Sequence, residues 1–191
     1  MKKLILVGLL LVSWVWGKSV EQVQGEWGQR FAAKMQSYQT QMQQNEDFIR
    51  LSPHCFQAKD NGACQRILDI HQKQCDNSVV LSCAAFAQNY VQGSEQMGIK
   101  ADLKKAQSYA DKVCTLDATI CARMSGFFMY KDRKIALKYA EKACEMGELA
   151  DCVVAAELYS VGFGGIGKNP QKVKYYTDKL CKGGVSEACG K

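Results

Sequence analysis

Val23, Trp27, Phe31, Met35, Tyr38 and Met42 recur three or four residues apart, and glutamine dominates the positions between them. That period lines six large apolar side chains along one stripe of a helix and leaves the opposite face polar. A second pattern runs through the rest of the chain in shorter units. Counting back from Cys114, Cys144 and Cys181, apolar or small residues fall at −8, −5, −4 and −1, again a single helical stripe. The −5 residue is always tyrosine: Tyr109, Tyr139 and Tyr176. At −12 stand Asp102, Asp132 and Asn169, side chains that accept the free N–H groups of a first turn. Pro170 then takes a first helical position, where its missing N–H costs nothing. Each segment is predicted as a helix of about three turns ending near its cysteine.

Counting forward from Cys83, Cys121 and Cys152 gives a second helix. A small residue lies at +4 (Ala87, Ser125, Ala156) and an aromatic at +7 (Tyr90, Phe128, Tyr159). Gly93 and Gly162 follow at +10 and suit a helix end. The unit is helix, loop, helix, and the second cysteines are spaced by 38, 31 and then 37 residues. A two-helix unit at this period predicts an all-α fold, an α/α solenoid of helix–turn–helix repeats. Tyr130 and Lys131 alone separate Met129 from the cap Asp132 in the short middle unit. The third has the glycine-rich loop Gly162 to Lys168. That loop lacks the Gly-Lys-Ser/Thr ending of a phosphate loop and follows no strand, so it is taken as an interhelix turn. Between Cys64 and Cys75 there is room for one helix, a truncated unit. The apolar stripe upstream is expected to be a cap over the exposed end of the solenoid, and its rival role is a docking helix for a partner. The expected organisation is residues 1–17 as a signal peptide, 18–53 as a glutamine-rich helical cap, and 54–191 as the repeat domain.

The ten cysteines form five pairs: Cys55/Cys64, Cys75/Cys83, Cys114/Cys121, Cys144/Cys152 and Cys181/Cys189, separated by 9, 8, 7, 8 and 8 residues. Met1 to Gly17 has two lysines, an apolar run and small residues before a cut, the pattern of a secretory signal. An exported chain with an even cysteine count is expected to be oxidised. Zinc ligands come two to four residues apart and often with histidine, unlike these gaps. No Cys-x-x-Cys pair supports redox catalysis. Ten cysteines allow roughly 945 pairings. Local pairing is favoured because a gap of seven or eight spans a last turn, a bend and a first turn, while other connectivities stay open.

The formal charge of +6 falls to +4 without Lys2 and Lys3, with both signs interspersed. No basic run carries interleaved aromatics, so nucleic acid is not expected as a partner, and neither is stable membrane insertion. No serine has lysine three residues later, and neither Lys-Thr-Gly nor Gly-x-Ser-x-Gly occurs. His54 and His71 are the only histidines, too few for a metal-dependent hydrolase. His71 is read as structural, and Glu145 with Glu148 as a solvated helix end. Neither a cofactor nor a metal is expected, and no catalytic residue is singled out.

Lys104-Lys105-Ala106, Tyr109 and Lys112-Val113-Cys114, together with Ile135 to Cys144, resemble Sel1-like repeats. With the paired cysteines the chain resembles the Helicobacter cysteine-rich protein family over about Cys75 to Cys189. The resemblance implies one disulfide per repeat, export to the periplasm or beyond, and folding with the help of a periplasmic disulfide oxidase of the DsbA type. It also implies penicillin binding or weak β-lactamase activity, and encounter with the host. Two functions follow as expectations. One is a secreted interaction module whose concave face takes a peptide, a cell-wall glycan or a host protein. The other is a β-lactam hydrolase of low activity.

Overall fold

The computed structural model describes residues 17–190. The signal segment expected over Met1 to Gly17 therefore lies outside the described residues apart from Gly17. What is described is helical throughout: α1 (Val20–Gln43), α2 (Glu46–Phe56), α3 (Asn61–Asp76), α4 (Val80–Gln92), α5 (Leu103–Leu116), α6 (Ala118–Phe128), α7 (Arg133–Glu145), α8 (Leu149–Val161) and α9 (Pro170–Lys182), then a 3-10 turn (Ser186–Ala188). The helices start where their sequence allows. Asp102, Asp132 and Asn169 each accept backbone N–H groups of the following first turn. Gly162 ends α8 at φ 68°. An added Cβ there would collide with Lys168, so glycine is required for conformation and for space alike.

The chain is an all-α solenoid of helix–turn–helix repeats stapled by disulfides. α2 packs on α3, α4 on α5, α6 on α7, and α8 on α9. Within the last three pairs, the aromatic seven after one cysteine stacks on the tyrosine five before the next. Tyr90 lies on Tyr109 with ring centres 5.7 Å apart, Phe128 on Tyr139 at 5.3 Å, and Tyr159 on Tyr176 at 6.2 Å. Small residues between them, such as Ala106, Ala110 and Ala136, are fully buried and let the helices close up. The five cysteine pairs are each bonded locally, with Cα atoms 4.6 to 4.9 Å apart. α3 carries both Cys64 in its first turn and Cys75 in its last, the single helix that ten intervening residues permit.

The position of α1 differs from the expected end cap. The start of the stack is formed by α2 and α3 around Leu51, Cys55, Ala63, Cys64 and Ile67. α1 instead lies along the stack as a strap. Its 24 residues make a rod of about 36 Å. The end of one helix pair is only about 20 Å across at ordinary interhelix distances. Lengthwise packing lets the whole stripe meet the body. The domain boundary expected at residues 53/54 falls inside α2. Among the described residues no helix is long and apolar enough to cross a membrane.

Candidate functional site

The strap touches the body at one recurring feature, the bends closed by disulfides. The backbone of Lys18 pairs with Gly184 and Ser186, between Cys181 and Cys189. Arg30 reaches Glu148, between Cys144 and Cys152. Trp27 Nε1 donates to the Thr119 carbonyl at 3.1 Å, and Lys34 Nζ meets Asp117 at 2.5 Å, both between Cys114 and Cys121. Tyr38 bonds Ser82 and Met42 meets Gln74, beside Cys83 and Cys75. Residues 18 to 42 thus pass four bends in reverse chain order. Beneath them, the first turns of α4, α6 and α8 form one continuous face. The apolar stripe falls on this face as its spacing requires. Val23 and Met42 are buried, whereas Trp27, Phe31, Met35 and Tyr38 are only partly covered. Gln22, Gln24, Gln29, Gln36, Gln39, Gln41 and Gln43 all point to solvent.

At the centre of this face sit two buried acids at the start of α8. Glu148 is 5% exposed; it accepts from Arg30 and, at 2.8 Å, from the Thr119 hydroxyl. Asp151 is 4% exposed, 2.9 Å from Ser125 Oγ. Burial pushes the Asp151 carboxyl up to about 7; the Ser125 hydrogen bond opposes the shift and the Glu148 charge adds to it. Ser125 Oγ also lies 2.9 Å from the Ala122 carbonyl, which can only accept. The single hydroxyl hydrogen of Ser125 is therefore shared between that carbonyl and the Asp151 carboxyl, so the carboxyl receives only part of a hydrogen bond where burial costs its charge most.

At the α3–α4 bend, the Tyr38 hydroxyl lies 2.9 Å from His71 Nδ1 and 3.1 Å from Ser82 Oγ. Ser82 donates to Gln74 Oε1 at 2.8 Å. Burial lowers the His71 pKa and raises that of Tyr38. Ser82 is completely buried, and with His71 it holds the strap through the Tyr38 hydroxyl. A cleft of about 260 Å³ remains between strap and body, lined by Phe31, Met35, Tyr38, Leu81, Arg123 and Phe127.

No family model matches the chain. Over 87 residues it is 32% identical to cytochrome c oxidase assembly factor 7 of Xenopus tropicalis, a match covering 42% of this chain and 37% of that one. The chain thus spans little more than a third of that relative's length. Among solved structures it resembles a Sel1 repeat protein from Oxalobacter formigenes at 17% identity and a TM-score of 0.41, covering 64% of this chain and 94% of that one. It also resembles a protective antigen of uropathogenic Escherichia coli with an SLR fold, at 20% identity and a TM-score of 0.42, covering 69% and 32%.

Glu145 and Glu148, taken together in sequence as one solvated helix end, part company. Glu145 is on the exposed side with Tyr175 and Lys179, whose hydrogen bond to it holds its carboxyl below the usual range. Glu148 turns inward beneath the strap. On the outer side, Glu141 Oε1 collects three donors: Tyr176 at 2.7 Å, Tyr159 at 3.0 Å and Lys172 at 3.2 Å. Burial, with Glu141 alongside, pushes Tyr159 up to about 12. These groups tie neighbouring helices together. All ten cysteines are paired in S–S bonds. The acids beneath the strap were missed because a helix-start carboxylate is ordinarily solvated. A signal was present: the bends hold Asp117, Glu148 and Glu187, and Arg30 and Lys34 flank the apolar stripe.

Proposed function

We propose that this chain is an exported, Sel1-like repeat protein that works as a protein-interaction module. The observation that carries the proposal is the face built by α4, α6 and α8, on which an amphipathic helix docks lengthwise. Docking a helix by spaced apolar anchors into a groove is a common mode of peptide recognition. The disulfides suit the role: solenoid repeats touch only their neighbours, and each staple fixes one neighbour against the next. Export is part of the proposal, since a signal-like start and five bonded pairs belong to an oxidising compartment. A relative named as an assembly factor accords with holding another protein.

A photo-crosslinking residue at Arg123, beside the strap, should trap a partner in the native compartment. The same residue at exposed Lys174 on α9 should not. Nitrocefin turnover by the oxidised chain, with no position-specific crosslink, would overturn the module in favour of the β-lactam hydrolase that the resemblance implies.

A further inference from the structure

We infer that α1 is a displaceable occupant of this face, and that the partner it gives way to is a cationic amphipathic helix. This rests on the interaction-module proposal and adds the chemistry of the ligand and the means of its control. Four observations support it. First, the strap's fit is incomplete: four of its six apolar residues are only partly covered, and the 260 Å³ cleft lies under three of them. Second, α1 carries Gly25 and Gly28 inside the helix, and nothing lies within 4 Å of a Cβ added to either. No close approach demands glycine there. Each one lowers the population of the helix by roughly fivefold relative to alanine. Third, the glutamine side is exposed to solvent, so the strap is held by its apolar stripe and the bases that flank it. Fourth, the face is acidic where the strap is basic, with Glu148 against Arg30 and Asp117 against Lys34.

Once the strap leaves, Glu148 retains Thr119 and loses its cation. A partner helix restores what is missing if it carries large apolar residues three or four apart and a base just before the second and third of the anchors matching Trp27, Phe31 and Met35. Its apparent affinity is reduced by the fraction of time the strap is down. Strap stability therefore sets the sensitivity of the module.

The probe is a labelled peptide with the sequence of residues 18–43, read by fluorescence anisotropy on the full oxidised chain. Three chains are compared: wild type, Gly25→Ala/Gly28→Ala with a firmer strap, and Trp27→Ala/Arg30→Ala with a looser one. The expected order of affinity is loose, wild type, firm, with at least tenfold between the extremes. The Arg30→Glu peptide should bind the loose chain at least tenfold more weakly. Equal affinity for all three chains, or no binding while hydrogen exchange shows a freed α1 in the loose chain, overturns the inference. A concentration-dependent dimer in place of peptide binding also overturns it, and assigns the face to a second copy of the chain. Should the loose chain not fold, the wild-type and firm chains still decide by their order. Crosslinking from Arg123 without peptide exchange would leave the interaction module standing with a permanent strap. Peptide exchange without a crosslinked partner would do the reverse.

Discussion

The Arg30 guanidinium and the Glu148 carboxylate meet at 2.5 Å across 118 residues of sequence, the first side chain about half exposed and the second buried. The pair is asymmetric. Arg30 gains little from the contact because water can serve it, whereas Glu148 has only Thr119 besides. Removing Arg30 therefore strands a buried charge, while removing both charges strands nothing.

Arg30→Ala should destabilise the strap by about 1 kcal/mol or somewhat more, and Arg30→Ala/Glu148→Gln by less than the single change. Hydrogen exchange of α1 amides, compared with those of α6, reads the difference. If the double variant loses more than Arg30→Ala alone, Glu148 is not the strap's charged anchor.

The aromatic pairs give a second expectation. Phe128 is fully buried and stacked on Tyr139, whereas Tyr130, two residues on, is 95% exposed. Phe128→Ala should cost about 3–5 kcal/mol in urea unfolding. Tyr130→Ala should stay within about 0.5 kcal/mol of wild type. A small loss at Phe128 would mean that the repeat pairs are not held by their aromatic stacks.

Much of this was legible in the chain. The −12, −5 and +7 positions around the cysteines mark caps and stacked rings, because local spacing alone decides which face of a three-turn helix is buried. Local spacing also made near pairing the simplest use of Cys114 with Cys121 or Cys144 with Cys152. Where α1 would lie was not legible. A stripe such as Trp27, Phe31 and Met35 states that one face is covered and says nothing of what covers it. The inward turn of Glu148 was hidden for a related reason. Its partner Arg30 is distant in sequence, and the burial that couples them exists only once the strap is in place.

The staples differ in what they hold. Cys114–Cys121 joins α5 to α6 in mid-stack, and Cys181–Cys189 joins α9 to the terminal turn. Closing loops this short should stabilise by about 2–3 kcal/mol each in the chain-entropy account. Cys114→Ser/Cys121→Ser should lower the midpoint of the whole unfolding transition. Cys181→Ser/Cys189→Ser should chiefly free Val185 and the Lys18 contact, seen as faster exchange at the start of α1. Equal loss of global stability from both would show that the terminal turn is as integral to the stack as the central bend.

Asp151 gives the chain a pH dependence with a definite sign. Its folded pKa, raised to about 7, lies above the ordinary aspartate value of 3.8. Between these values the folded state binds a proton that the unfolded state has released. The stability it contributes is thus complete below about 4 and is lost as pH rises through about 7. Glu148 faces it from one side and Ser125 from another, so deprotonation sets two buried carboxylates near each other beneath the strap. Asp151→Asn keeps the shape and the hydrogen bond to Ser125 without the titration. The melting temperature of Asp151→Asn minus that of wild type should therefore grow as pH rises from 4 to 8. Subtracting one chain from the other cancels His71, whose lowered pKa acts with the opposite sign and costs stability as pH falls below about 6.5. A difference that stays flat across this range would show Asp151 ionised throughout.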